Sequence, residues 1–360
     1  MPVHTLPAAE ALARLDSFDT VIDARTEDEH ALDHVPGAIN WPTLNNQERI
    51  DIGTMYKQVN PFEAKKRGAA LSARNIAAHI EREVIDKPRG WKPLVYCWRG
   101  GNRSGALATI LGAIGFHVTL IEGGYKAWRA ALVASIPGLA TRLHWRVVCG
   151  PTGSGKTRLL QALAAQGAQV LDLEALASHR SSVLGHIPGQ EQPSQKRFDS
   201  LVWDALRHFD PSRPVYVESE SKKVGNVRVP DALIEAMRES PCIDLQLSDP
   251  ERVALLLEDY DFFVKDSAHF CHRLEALTEL RGKAVVSAWI EKVQQGHTPE
   301  VVLELLTQHY DPMYAQSIAR NFKCYGQARP CVLRDRSAEA LADAARELIA
   351  TGPAASPSPA

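Results

Sequence analysis

Apolar residues fall into short runs closed by turn residues, and longer stretches with helical spacing lie between those runs. Thr20-Val-Ile-Asp23, Leu94 to Cys97 and Val118 to Ile121 read as strands, the second one buried. A turn-rich stretch leads to His34-Val-Pro-Gly-Ala-Ile-Asn40. Leu71 to Val84 and Ala106 to Ile114 have helical spacing, and Gly123-Gly124 opens an amphipathic stretch, Tyr125 to Val133. Strands alternating with helices predict an α/β fold, a largely parallel sheet with helices on both faces.

The alternation restarts after Ser135-Ile-Pro-Gly-Leu139. Trp145 to Cys149, Gln169 to Leu173, Val215 to Val217 and Ile243 to Leu247 read as strands, and Arg158 to Gln166 as a helix. From Glu251 onward the pattern is mostly helical. The expected organisation is a first domain at 1–134, a linker at 135–143 and a second domain at 144–350 with a helical C-terminal part. A disordered small-residue and proline tail is expected at 351–360. No internal repeat is visible.

Composition adds exclusions. A chain of 360 residues suits two domains, each able to bury a core. No apolar run is long enough to span a membrane, and Met1 to Glu10 lacks the layout of a signal peptide. Six cysteines (97, 149, 242, 271, 324 and 331) show no framework spacing, so reduced thiols and a cytoplasmic location are expected. A net charge of -2 means that any nucleic-acid surface must be a local patch.

Two motifs carry chemistry. The strand ending at Cys97 runs into Trp98-Arg-Gly-Gly-Asn102, then Arg103 and Ser104, where a helix begins. Loop N–H groups can converge on one point, the helix N-terminus adds positive potential, and Arg103 offers a guanidinium fork. Such a cysteine is a nucleophile able to carry a sulfur-, selenium- or phosphorus-centred group, and Trp98, Arg99, Gly100, Gly101, Asn102 and Ser104 form its anion loop. A buried strand-end cysteine beside an ordinary glycine turn is the competing reading.

The second motif, Gly150-Pro-Thr-Gly-Ser-Gly-Lys-Thr157, matches G-x-x-x-x-G-K-[ST] in full between an apolar strand and a helix. The N–H groups around Gly150, Gly153, Ser154 and Gly155 can wrap a phosphate, while Lys156 reaches the outer phosphates and Thr157 serves Mg²⁺. Partner acids are on offer at Glu218, Asp172 and Glu174, with Glu218 assigned to the metal and Asp172 to substrate. Capping of the next turns is their alternative role. The motif implies a held di- or triphosphate, not hydrolysis of a nucleotide.

Basic runs at Lys65-Lys-Arg67, His179-Arg180, Lys196-Arg197 and Lys222-Lys223 with Arg228 could follow an RNA backbone, with Trp98 and Trp41 as stacking surfaces. Arg180, Lys222 and Lys223 are the candidate tRNA contacts. His269-Phe-Cys-His272 lacks a second spaced ligand pair and is not expected to hold a metal.

Val21-Ile-Asp-Ala-Arg25 with Glu27, His34 to Asn40, Cys97, and Ile121-Glu-Gly-Gly-Tyr-Lys-Ala-Trp128 together resemble a rhodanese domain. Arg103 lies six residues after Cys97, a spacing shared with cysteine phosphatases, so loop length leaves phosphatase or arsenate reductase chemistry open. A rhodanese-like domain followed by a P-loop domain resembles the tRNA 2-selenouridine synthases. Leu171-Asp-Leu-Glu174 with His179-Arg180, Val217 to Ser221 through Gly225, and His309-Tyr-Asp-Pro-Met-Tyr314 support this resemblance. Asn102 stands where the family has Met, and Ser181-Ser182 where it has Gly-Ser.

The resemblance implies replacement of sulfur by selenium in wobble 2-thiouridine of tRNA. Selenophosphate would be the donor, and S-geranylation from geranyl diphosphate would activate the sulfur. No tightly bound cofactor is implied beyond Mg²⁺ at Thr157 and Glu218. Cys97 would be the nucleophile, Arg99 and Arg103 would neutralise the donor, and Lys156 would stabilise the departing diphosphate. A small-molecule kinase with a regulatory rhodanese module is the other alternative.

Overall fold

A computed structural model describes residues 3–180, 189–260 and 266–351. The expected tail at 351–360 lies outside the described residues from 352 onward, as do Ser181 and Ser182. The chain divides into two compact units, Met1–Pro137 with Pro193–Arg207, and Gly138–Gln192 with His208–Ala360.

The first unit holds a five-stranded, wholly parallel sheet, β1 (His4–Leu6), β2 (Thr20–Asp23), β3 (Ile39–Asn40), β4 (Pro93–Tyr96) and β5 (Thr119–Ile121). The spatial order is β1-β5-β4-β2-β3. Every residue of central β4 is buried, as a strand covered on both faces should be. Ile22, Trp41, Ile76, Trp91, Val95, Leu107 and Leu111 are among its core. Trp41 is therefore corrected as a stacking surface. It is 3% exposed, and its ring lies 5.7 Å from His79 and 6.2 Å from Trp91.

Six helices belong to this part of the chain: α1 (Ala8–Ala13), α2 (Glu27–Leu32), α3 (Asn46–Gln58), α4 (Pro61–Glu83), α5 (Asn102–Ile114) and α6 (Gly124–Thr141). Helix α4 starts ten residues before its expected Leu71. Asn60 Oδ1 accepts from the N–H groups of Phe62 and Glu63, and Pro61 sits at the first turn. The expected linker at 135–143 is helical as far as Thr141, with Pro137 inside α6, and the division between the units falls within that stretch.

The second unit has its own parallel sheet in the order β12-β11-β6-β8-β7. Its strands are β6 (His144–Cys149), β7 (Gln169–Leu171), β8 (Pro214–Glu218), β11 (Cys242–Gln246) and β12 (Arg329–Val332), with a β9–β10 hairpin (Lys223–Val224, Val227–Arg228) beside them in sequence. Helix α7 (Lys156–Ala165) leaves the P-loop and buries Leu159, Leu160 and Leu163 against this sheet. Short α8 is Leu173–Ala177, α10 is Asp231–Arg238 and α11 is Asp249–Asp259.

Strand β12 interrupts the expected helical region and pairs in parallel with β11. Only its Cys331 is buried, so four residues gave no periodic signal. A second core, with Phe270, Leu274, Trp289, Val293 and Val301, joins the helices that follow α11.

Helix α9 (Gln195–His208) lies in sequence between α8 and β8, yet its residues through Arg207 pack in the first unit. Trp203 meets Trp128 of α6 edge to face at 5.6 Å, and Arg129 pairs with Asp199. Ser200 Oγ donates to Asp33 Oδ2 at 3.2 Å, and Tyr125 Oη donates to the same carboxylate at 2.6 Å.

Candidate functional site

In the first unit, Cys97 stands at the C-terminal end of central β4, where a parallel sheet opens toward its loops. The residue is 3% exposed. Ser104 Oγ donates to Cys97 Sγ at 3.1 Å. Asn102 opens α5 behind the N-cap Gly101, which offers no side-chain cap, so the first N–H groups of the helix stay available to an anion.

The Gly123-Gly124 turn supports this loop from behind. Tyr125 N donates to Cys97 O at 2.8 Å and Lys126 N to Trp98 O at 3.1 Å. A Cβ on Gly124, whose φ is +60°, would stand 2.2 Å from Cys97 O and 2.5 Å from Gly100 N. Trp98 is half-buried and stacks on Tyr125 at 5.5 Å, with Lys196 Nζ of α9 5.7 Å from the Trp98 ring. Tyr125 in turn faces the Arg25 guanidinium at 4.0 Å, and Arg25 is paired with buried Asp23.

Arg103 does not reach out as an open fork. Its Nη1 donates to Glu29 Oε2 at 2.6 Å and its Nη2 to Oε1 at 3.3 Å. Burial works against the Glu29 charge, but the Arg103 hydrogen bond and charge hold that carboxyl below its ordinary range. Arg99 is exposed on the same loop, beside Gly100 and Gly101.

In the second unit, β6 delivers Gly150 and α7 begins at Lys156. Gly155 precedes the helix at φ +88°, a left-handed conformation that turns successive N–H groups toward one point. Gly153, Ser154 and Lys156 complete the cradle. Lys156 Nζ donates to Gly150 O at 2.8 Å and Pro151 O at 3.4 Å. Gly150 N donates to Tyr314 Oη at 2.6 Å.

Three acids gather beside it. Thr157 Oγ1 donates to Glu174 Oε2 at 3.1 Å, and Glu174 N donates to Glu218 Oε1 at 3.1 Å. Glu174, Glu218 and Glu220 bring carboxylate oxygens within 4.8 Å of one another. Glu218 is fully buried, and its Oε2 has no hydrogen-bond partner among the described residues. Burial first, and then Glu174, Glu220 and Asp172, push its carboxyl well above the ordinary range. Hard oxygen donors of this kind fit Mg²⁺. Asp172 Oδ1 accepts from Ala175 N and so caps α8, while its side chain also lines the adjoining cavity.

That cavity measures about 750 Å³. Lys156, Thr157 and Glu174 line it, and so do the apolar side chains of Leu256, Met313, Ile318 and Phe322. Arg180 lines it too, held by Asp259 O and lying 4.7 Å from the Tyr260 ring. Lys222 is exposed and lies 3.9 Å from Asp231, and exposed Lys223 belongs to the β9–β10 hairpin.

Residues 143–275 match the family model of the tRNA 2-selenouridine synthase AAA domain, and residues 7–131 match that of the Rhodanese-like domain. A tRNA 2-selenouridine synthase from Cupriavidus necator is 33% identical over 328 residues, which cover 82% of this chain and 87% of that one. This chain belongs to the tRNA 2-selenouridine synthases. The Aeromonas salmonicida tRNA 2-selenouridine synthase is 30% identical, covering 86% of this chain and 90% of its own. The Nitrosomonas europaea one is 36% identical over 67% of this chain, a match that spans 63% of that relative.

The stretch His309 to Tyr314 finds its place in the geometry. Besides Tyr314 on Gly150, Asp311 Oδ1 accepts from Arg252 Nη2 at 2.6 Å, and that Nη2 also donates to Thr152 O at 2.8 Å. Arg252 is 4% exposed and was not foreseen. It sits in an ordinary amphipathic pattern on α11, and only the fold brings it to a loop a hundred residues earlier.

Proposed function

We propose that the chain replaces the sulfur of wobble 2-thiouridine in tRNA by selenium in two halves, with the prenyl half at the P-loop and the selenium half at Cys97. In the first half the thiouridine sulfur attacks C1 of geranyl diphosphate. A C–S bond forms, the C–O bond breaks, and diphosphate departs. In the second half Cys97 Sγ attacks C2 and the geranyl thiol leaves; the selenium of selenophosphate then displaces Cys97 from C2, and water cleaves the Se–P bond to release phosphate.

The observation that carries this reading is the mixed lining of the cavity in the second unit. It offers a phosphate cradle at Lys156 and Thr157 together with the side chains of Leu256, Met313, Ile318 and Phe322, a pairing suited to a diphosphate with a hydrocarbon tail. Thr157 and Glu218, with Glu174 and Glu220, are the residues that would hold Mg²⁺, which when bound would offset charge on the departing diphosphate. Lys156 adds a fixed positive charge there. Arg99, the open end of α5 and the glutamate-held Arg103 would favour the anionic donor near Cys97.

The test incubates folded wild type, Cys97→Ser and Lys156→Ala with thiolated tRNA, geranyl diphosphate and selenophosphate, and reads nucleoside masses. Cys97→Ser is expected to accumulate the S-geranyl nucleoside without selenium, and Lys156→Ala to lose at least about 100-fold in prenyl transfer. Loss of both activities in Cys97→Ser would overturn this division. Turnover of an aryl phosphate by wild type with thiouridine left unchanged would favour the phosphatase reading instead.

A further inference from the structure

The paired helices α3 and α4 do little for the core. Helix α3 contains no buried residue, and α4 buries only Ala64, Ile76 and His79 over 23 residues. Ile76 and His79 sit in its second half, where Ile76 joins the core and His79 Nε2 bonds to Pro42 O. Near that end, Arg74 and Asn75 both bond to Glu48. The first half of α4, residues 61–73, is therefore an arm roughly 18 Å long, at 1.5 Å per residue, supported by α3.

The outer part of this arm is both aromatic and basic. Tyr56 is 50% exposed, Val59 75% and Phe62 67%. Lys57, Lys65, Lys66 and Arg67 stand exposed among them, against the single carboxylate of Glu63 between residues 56 and 70. Residues 56–70 thus carry +3 where the whole chain carries -2. Lys66 pairs with Glu63 at 2.7 Å and lies 5.2 Å from the Phe62 ring. Lys57, Lys65 and Arg67 have no ion pair among the described residues.

Exposed rings cost solvation and loose cations cost repulsion, so neither is retained for stability. Together they match one class of partner, a polyanion that also presents flat bases. We propose that the α3–α4 arm docks folded RNA, with Lys57, Lys65, Lys66 and Arg67 on phosphates and with Tyr56 and Phe62 against an unstacked base or a ribose face. The proposal rests on the reading above that tRNA is the substrate, and it assigns a grip for that tRNA to residues that belong to neither chemical site. A basic surface alone would bind any polyanion, and the rings favour RNA with unpaired positions.

The experiment compares full-length wild type with K65Q/K66Q/R67Q and with Y56A/F62A, glutamine and alanine being good helix formers. Binding of thiolated tRNA is measured by fluorescence anisotropy across a salt series, and selenium incorporation gives kcat and KM. The charge variant is expected to bind about tenfold or more weakly, with the slope of log K against log salt reduced by about 2 to 3. The ring variant is expected to lose about fivefold with its salt slope unchanged. Both should raise KM for tRNA, keep kcat at saturation, and bind geranyl diphosphate as wild type does.

Wild-type affinity and slope in both variants would overturn the arm's role while leaving the proposed reaction intact. Wild type that fails to bind tRNA at all would overturn both. A wild-type dimer that either variant splits, with tRNA affinity unchanged, would make the arm a self-association face and also overturn the proposal.

Discussion

Glu29 serves two elements at once. Its Oε2 accepts from Thr26 N to complete the capping box of α2, and the same carboxylate holds Arg103 at the mouth of the Cys97 loop. Substituting Glu29→Gln keeps the cap, because an amide oxygen can still accept, but removes the charge opposite Arg103. The side chains are 15% and 27% exposed, so the pair is partly screened and worth about 1 kcal/mol. The folded carboxyl titrates below the ordinary glutamate value, so this stability is fully present above that value and is lost as pH falls through the lowered one. Thermal melts of Glu29→Gln and wild type should therefore differ near pH 7 and converge in acid. A gap that stayed constant to pH 3 would show that Glu29 acts through something other than its charge.

The Gly123-Gly124 turn determines where the Cys97 loop sits. Its Gly124 leaves no room for a methyl group, since the nearest atoms are backbone and cannot rotate away. Gly124→Ala should therefore displace the loop, cutting selenium incorporation by about 100-fold and lowering stability by about 2 kcal/mol. The prenyl transfer proposed for the P-loop, which would use none of this turn, should persist. Equal loss of both activities without loss of fold would count against that assignment. The P-loop has a comparable brace of a different kind. Buried Arg252 and half-buried Tyr314 bond to its backbone at Thr152 and Gly150, so the helices following β11 set the shape of a motif that precedes it.

At the scale of the molecule, the described residues build two five-stranded sheets and separate cores, but their sequence is not cut once. The first unit takes back Pro193–Arg207 after the chain has already formed β6, α7 and β7 of the second. A fragment ending at Pro137 would leave Trp128 without Trp203 and would leave Asp33 without Ser200. Such a fragment should bind a hydrophobic dye and melt without a sharp transition, whereas the full chain should not. A cooperative melt of the fragment, seen by near-UV circular dichroism, would show that α9 is dispensable to the first unit. Among the described residues no helix is long and apolar enough to cross a membrane.

The sequence by itself determined the parts whose signals are local. Strands β2, β4, β5, β6, β8 and β11 were legible because a buried parallel strand needs a continuous apolar run. The two anion loops were legible because glycine, a basic side chain and a following helix must be adjacent in the chain to cradle a charge. Strand β12 was not, because its pairing with β11 arises from contact across more than eighty residues rather than from its own four. Arg252 and Glu220 joined the P-loop site only through folding, and the guanidinium fork of Arg103 is held by a glutamate seventy-four residues away. Tertiary structure also moved Trp41 into the core and Lys196 beside Trp98. Local chemistry placed the reactive groups, and only long-range packing decided what surrounds, charges and restrains them.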